Sequence, residues 1–213
     1  MKDMTIINIK IKTKKSNNYI IELSNGKSLE IPIDIILKYN LEKHMLITED
    51  ICNKLNQEIN LIKCKEIAYK FATYKPRSIK QIRDKLIENN FKENEILLTF
   101  EFLKKYNLID DFEYSRKFIL NYILTKRVGQ RKIEYELLLK GISKEIVNKA
   151  INKFYPNNKV KEFIILEIKK KKNQILRKEK EKQYIYIYNY LSNKGFYIDS
   201  NLKEFIKFQI KNL

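Results

Sequence analysis

Three ten-residue stretches decide the fold: Ile82-Arg83-Asp84-Lys85-Leu86-Ile87-Glu88-Asn89-Asn90-Phe91, Ile133-Glu134-Tyr135-Glu136-Leu137-Leu138-Leu139-Lys140-Gly141-Ile142 and Ile187-Tyr188-Asn189-Tyr190-Leu191-Ser192-Asn193-Lys194-Gly195-Phe196. Each places Ile and Leu four apart, on one face of a helix. Four residues later stands Asn90, Gly141 or Gly195, a residue type that tolerates the left-handed backbone at a helix C-terminus. An apolar residue follows each time. The offsets are 51 and 54 residues, and three matches at nearly constant spacing mark an internal repeat.

Working outward, a second apolar pattern follows each stretch: Ile96, Phe100 and Leu103; Val147, Ile151 and Phe154; then Leu202, Phe205 and Phe208, with one position slipped. Helical segments near 61–74, 111–126 and 159–175 complete each unit. Ser78-Ile79-Lys80-Gln81 reads as a capping box. Asp110-Asp111-Phe112-Glu113, Ser143 and Asp199 supply further helix starts. A unit of about 50 residues with three short helices cannot close its own core, so neighbouring units must stack. The run Tyr184 to Tyr190 alternates Tyr and Ile and by propensity favours a strand. The repeat alignment places it on a helix instead, with Ile187 and Leu191 inward.

The start of the chain reads differently. Ile7, Ile9 and Ile11 alternate with polar residues, as do Tyr19, Ile21 and Leu23, and then Leu29 and Ile31. Asn25-Gly26 predicts a type I′ hairpin turn, with positive φ at both positions. Pro32 ends the strand pattern. A short helix is expected over Asp34 to Tyr39, and Thr48 caps another carrying Ile51, Leu55 and Ile59. The predicted division is 1–60 for a β-hairpin or three-stranded element with short helices, then 61–110, 111–158 and 159–213 for three tandem three-helix repeats. The fold class is mainly α.

The net charge is +18 over 213 residues, and it is graded. Residues 1–60 carry 9 basic and 8 acidic side chains, residues 61–110 carry 11 and 7, residues 111–158 carry 10 and 5, and residues 159–213 carry 14 and 6. A rising field of this kind draws polyanions. The Lys, Ile and Asn excess also fits an AT-rich coding sequence, which makes solubility plus compositional bias the bland alternative. No apolar run approaches the length that spans a bilayer. Met1 to Lys15 does not read as a signal peptide, so a cytoplasmic location is expected. Cys52 and Cys64 make no disulfide framework.

Enzyme readings find little support. His44 is the one histidine, and a Ser-His-Asp or Cys-His arrangement would have to use it. Cys52 and Cys64 are twelve apart, without metal-ligand spacing, and read as small core residues. No phosphate-cradling loop is present. Asp110, Asp111 and Glu113 form an acidic cluster, but a helix start uses the same residue types. No cofactor and no catalysis are expected. The binding candidates are Arg77, Lys80 and Arg83 near one helix face; Arg116, Lys126, Arg127, Arg131, Lys132 and Lys140 around the second repeat; and Lys169, Lys170 and Arg177 in a denser run. Arg can hold a phosphate or carboxylate in two-point contact. The Lys169–Lys172 run covers every side of a helix, so not all of it faces one ligand. Phe112, Tyr114, Phe118 and Tyr122 read mostly as core, with Tyr114 exposed enough to stack.

With these residues in view, the chain resembles the RecX family of recombinase regulators. The resemblance is carried by Arg77-Ser78 opening a helix to Leu86, by Leu103 and Leu108-Ile109-Asp110-Asp111, and by Gly129-Gln130-Arg131-Lys132-Ile133, Glu136-Leu137 and Lys140-Gly141-Ile142. It covers 61–155 well and 156–213 moderately, and the N-terminal hairpin resembles an extension of some members. Ser115 departs from the small Ala common there. The resemblance implies that the repeats stack into an elongated, curved body. It further implies binding to the RecA recombinase filament on single-stranded DNA, weak and salt-sensitive contact with the single strand, inhibition of ATP hydrolysis and strand exchange, and a place in DNA repair, recombination and the SOS response. A monomer is expected. The competing readings are a stand-alone helix-turn-helix-like DNA-binding protein, which would show duplex specificity, and a scaffold whose charge is only compositional.

Overall fold

The structure, a computed structural model, describes residues 3–13 and 17–213. Among them are four strands, β1 (Met4–Ile11), β2 (Asn18–Leu23), β3 (Ser28–Pro32) and β4 (Leu46–Ile47), and ten α-helices. The helices are α1 (Ile33–Tyr39), α2 (Glu49–Tyr74), α3 (Ile79–Glu88), α4 (Glu93–Lys105), α5 (Asp111–Lys126), α6 (Gln130–Leu139), α7 (Lys144–Phe154), α8 (Val160–Leu176), α9 (Lys180–Asn193) and α10 (Ser200–Lys211). The chain is mainly α, with three tandem three-helix sets, α2–α4, α5–α7 and α8–α10, after a small antiparallel sheet. It divides into two compact units: Met1–Tyr74 with Arg83–Leu108, and Lys75–Ile82 with Ile109–Leu213.

In the first unit the sheet order is β3-β2-β1-β4. The fourth strand, only two residues long, lies beyond the three-stranded element the sequence predicts. Ile6, Ile21, Leu23, Ile31, Ile35, Leu41, Ile47, Leu55 and Ile59 form its core. The strand phase of β1 differs from expectation. Ile6 pairs with Leu23 and Asn8 with Glu22, so Ile7 is an extra residue in a bulge. A bulge shifts every following side chain by one position. Ile9 and Ile11 pair with Ile21 and Tyr19 and so share the face of Ile6: Ile6 is fully buried and Ile9 packs on the core, Ile7 is displaced to the exposed side, and Ile11 is exposed at the strand end. The β2–β3 turn also differs from type I′. Gly26 has φ +78 but Asn25 is not among the positive-φ residues, and the Gly26 N–H donates to the Leu23 carbonyl at 3.0 Å. A type I turn followed by a left-handed Gly meets the same twist requirement with one strained position instead of two. Thr48 caps α2 as expected, its Oγ1 accepting from the Ile51 N–H at 3.4 Å. The two helices read around 48–59 and 61–74 are one, because no Gly or Pro interrupts Glu49–Tyr74.

The second unit holds two cores. Ile119, Val128, Ile133, Leu137, Ile142, Val147, Ala150, Ile151 and Tyr155 fill one, within α5–α7. Phe163, Ile164, Ile168, Ile175, Ile187, Leu191, Phe196 and Ile206 fill the other, within α8–α10. The Tyr-Ile run is helical, and Ile187 and Leu191 are fully buried. Packing at period 3.6 overrides the local strand preference. In α10 the fully buried residue is Ile206; Leu202 and Phe205 pack on the same core as expected, and Phe208 is exposed. Asp199, which accepts from the Leu202 N–H at 2.8 Å, fixes where the helix begins and hence its phase. The left-handed termini at Asn90, Gly141 and Gly195 have φ of 61, 78 and 85. Buried Ser115, the departure from Ala, returns its hydroxyl to the Asp111 carbonyl at 2.7 Å and so leaves no polar group unmet.

Candidate nucleic-acid interface

Two joints recur in the second unit, each built from one helix start and the Lys-Gly turn of the following set. At the first, Ser78 makes both bonds of its capping box, with Gln81, at 3.1 and 3.2 Å. The same Ser78 hydroxyl donates to the Lys140 carbonyl at 2.7 Å. The methylenes of Lys80 lie on Gly141, where an added Cβ would come within 2.3 Å of them. The Ile79 N–H donates to Asp111 Oδ1 at 2.9 Å. At the second joint, 51 residues on, Gly129 stands in the place of Ser78. Its N–H donates to the Lys194 carbonyl at 2.9 Å, and the Arg131 N–H donates to the Gly195 carbonyl at 3.1 Å. The backbones meet directly: a Cβ on Gly129 would fall 2.1 Å from Gly195 C and Phe196 N. The same carbonyl of the Lys-Gly turn is thus captured by a hydroxyl in one joint and by a peptide N–H in the other.

The second joint carries a cationic corner. The Lys194 ammonium donates to the Lys126 carbonyl at 3.0 Å and pairs with Glu167 at 2.7 Å. Glu167 also accepts from the Tyr190 hydroxyl at 2.6 Å. Burial pushes the Glu167 carboxyl upward, but these two donors outweigh it and hold the group below its ordinary value. The network pins the end of α5, where Arg127 follows with φ 47 and ψ 60. A left-handed residue with a side chain is strained by about 1 kcal/mol relative to Gly. Arg127 is exposed, and its N–H closes the helix on the Tyr122 carbonyl at 3.1 Å. Beside it the Arg131 guanidinium lies 4.6 Å from the Tyr197 ring centre, and the Lys126 ammonium 4.1 Å from that of Tyr122.

The remaining candidates separate by what holds them. Arg116 makes a two-point contact with Glu113, at 2.7 and 2.8 Å. Arg83 pairs with Glu93, and Lys132 with Glu136 at 3.2 Å. Lys140 lies 5.6 Å from the Phe118 ring centre. Arg77 is half-buried just before α3, and its charge reaches the buried Tyr114. Lys169 and Arg177 are exposed on and after α8, without a carboxylate partner among the described residues; the exposed Lys170 adds its charge to the field on Glu167, and Lys171 lies 4.9 Å from the Tyr190 ring centre. The structure therefore brings Lys126, Arg127, Arg131 and Lys132 together at one joint and Lys80 and Lys140 at the other.

Tyr114, expected to be exposed enough to stack, is 9% exposed and belongs to the core. Its position on α5 faces Phe118 and the α5–α7 interior. The acidic cluster is committed to structure: Asp110 accepts from the Phe112 and Glu113 N–H groups, Asp111 from Ile79, and Glu113 pairs with Arg116. Sequence reading missed Lys194 and Tyr197. The signal for Lys194 was available, since Lys140-Gly141 and Lys194-Gly195 are the same dipeptide at the repeat offset.

Two family models match the chain: RecX, first three-helix domain, over residues 64–103, and RecX, second three-helix domain, over residues 110–151. The regulatory protein RecX of Clostridium beijerinckii is 33% identical over 199 residues, covering 92% of this chain and 91% of that protein. The regulatory protein RecX of Clostridium botulinum strain Eklund 17B is 27% identical over 210 residues, covering 96% and 98%. A crystal structure of regulatory protein RecX superposes with a TM-score of 0.75 at 22% identity, covering 96% of this chain and 98% of that one. The RecX crystal structure from Lactobacillus salivarius gives 0.66 at 22% identity, covering 73% and 99%. These structures share the fold. No helix among the described residues is long and apolar enough to cross a membrane.

Proposed function

Because the chain belongs to the RecX family of regulatory proteins, we propose that it binds the RecA-type recombinase filament formed on single-stranded DNA and inhibits its ATP hydrolysis and strand exchange. The observation that carries the proposal is Arg127. An exposed Arg occupies a left-handed position where Gly would be unstrained, between Lys126 and a pinned turn that presents Arg131. Strain kept for an exposed cation favours a ligand for that cation. The other candidate cations extend the surface, and those without a carboxylate partner contribute most, since a held guanidinium must first exchange partners.

The reading gives the chain no catalytic step and no cofactor. It acts in the cytoplasm, as a monomer, through charge and shape. Its contact with the single strand is weak and falls with added salt. The division into 1–60, 61–110, 111–158 and 159–213 belongs to the same proposal, with α2 running unbroken across the first boundary.

The test is single-strand-dependent ATP hydrolysis by a bacterial RecA-type recombinase with this protein titrated in. Inhibition at or below equimolar protein is expected. Replacing Arg127, Arg131 and Lys132 together by Ala weakens filament binding. An unchanged ATPase rate would count against the proposal, and unchanged binding by the triple variant would remove those residues from the interface.

A further inference from the structure

The third repeat has a longer loop than the second after its Lys-Gly turn. From Gly141 the chain reaches the helix cap Ser143 in two residues, whereas from Gly195 it reaches the cap Asp199 in four. The additional length carries Tyr197, which is 62% exposed. An insertion confined to one repeat maps to a loop, and such loops are commonly where repeat proteins bind. Here it borders a cleft of about 580 Å³, rimmed by Tyr197, Gln130, Asn157, Asn158 and Asn201, with Lys161 at its edge. None of those four carboxamide side chains bonds to another protein group among the described residues. Asp199 lines the cleft as well, and its Oδ1 is spent on the Leu202 N–H.

We propose that this cleft receives one unstacked nucleobase of single-stranded DNA, stacked on Tyr197 and read along its edge by the Gln130, Asn157, Asn158 and Asn201 carboxamides. Arg131 already covers one face of the Tyr197 ring, at 4.6 Å, and the exposure of the residue leaves the other face to the cleft. A free aromatic face backed by a guanidinium is the usual platform for a single-stranded base. Carboxamides both donate and accept, which suits base edges. Lys161 and Arg131 supply charge for the flanking phosphates. No strand among the described residues borders the cleft to pair with an extended peptide, and its apolar lining is mostly covered, with Phe196 and Tyr155 buried and Val160 and Leu202 half-buried, while its rim is polar.

The inference rests on the filament reading for its source of single strands, and its test uses no recombinase. The full chain, wild type and the Tyr197→Leu and Tyr197→Phe variants, is titrated against a labelled deoxycytidine oligomer of about 16 nucleotides and against an abasic strand of the same length. Tyr197→Leu loses at least about 5-fold in affinity for the base-bearing strand and nothing for the abasic one, while Tyr197→Phe keeps wild-type binding. A 2-aminopurine placed within the oligomer changes fluorescence with wild type and not with Tyr197→Leu. Equal binding of both strands by wild type, an equal loss on both by Tyr197→Leu, or no loss at all overturns the inference and leaves the ATPase result standing on its own. Thermal unfolding of the exposed-site variants checks that they remain folded.

Discussion

The two joints of the second unit solve one problem in two ways. Each must satisfy the carbonyl of a Lys-Gly turn that ends a helix. At Lys140 a serine hydroxyl does so, and the atoms nearest the facing Gly141 are side-chain carbons of Lys80, the nearest being its movable Cδ. At Lys194 a peptide N–H does so, and Gly129 and Gly195 bring the two backbones together with no side chain between them. The first joint can yield by moving a lysine. The second has nothing to move, and it also carries the buried Glu167–Lys194 pair and the strained Arg127. Rigidity and exposed charge thus coincide at one joint, which is how a binding surface is preorganised.

The sharpest way to break the contrast is Lys194→Met. It keeps the stem but leaves Glu167, 3% exposed as a side chain, buried without its cation. A loss of about 3–5 kcal/mol in denaturant unfolding is expected. The effect depends on pH with a definite sign. The Glu167 carboxyl in the folded protein titrates below its ordinary 4.5. Its contribution is therefore complete above that value and disappears as pH falls through the folded value. The gap between wild type and Lys194→Met closes in acid, because a protonated Glu167 no longer needs the ammonium. A gap that stays constant with pH would show that packing, not charge, holds the joint.

Gly129→Ala comes next. Its Cβ would meet backbone atoms, so α6 and the Lys194-Gly195 turn must part, and a loss of about 1–3 kcal/mol follows. Ser78→Ala, the matching change at the first joint, removes a helix cap and the bond to Lys140, for about 1–2 kcal/mol. Melting curves of the two variants measure the comparison directly. If Gly129→Ala proves the milder, the second joint is not the rigid one.

Much of this was legible in the sequence, because it is written as periodicity. The Ile-Leu spacing fixes which faces are buried, and Ile82, Ile133 and Ile187 are all fully buried. The caps at Thr48, Ser78, Asp110, Ser143 and Asp199 act where side-chain chemistry predicts. Departures arise where one residue changes the phase. The bulge at Ile7 turns that one side chain out and puts Ile6 in the core while Ile9 keeps its expected face, and in α10 the fully buried position is Ile206, with Leu202 and Phe205 beside it and Phe208 outside. Neither leaves a mark in composition. The site was legible as charge but not as arrangement. Residue type does not announce that Arg83 and Arg116 are held by carboxylates, that Arg127 is left-handed, or that Tyr114 is core while Tyr197 is open.

The most direct test of the cationic corner is Arg127→Gly, measured twice. Relief of the left-handed backbone should stabilise the protein by about 1 kcal/mol in thermal or denaturant unfolding. The same change should weaken inhibition of the recombinase ATPase. A more stable protein that inhibits less is the predicted result. A variant that inhibits as well as wild type would contradict the account, because the strain at Arg127 would then serve no ligand.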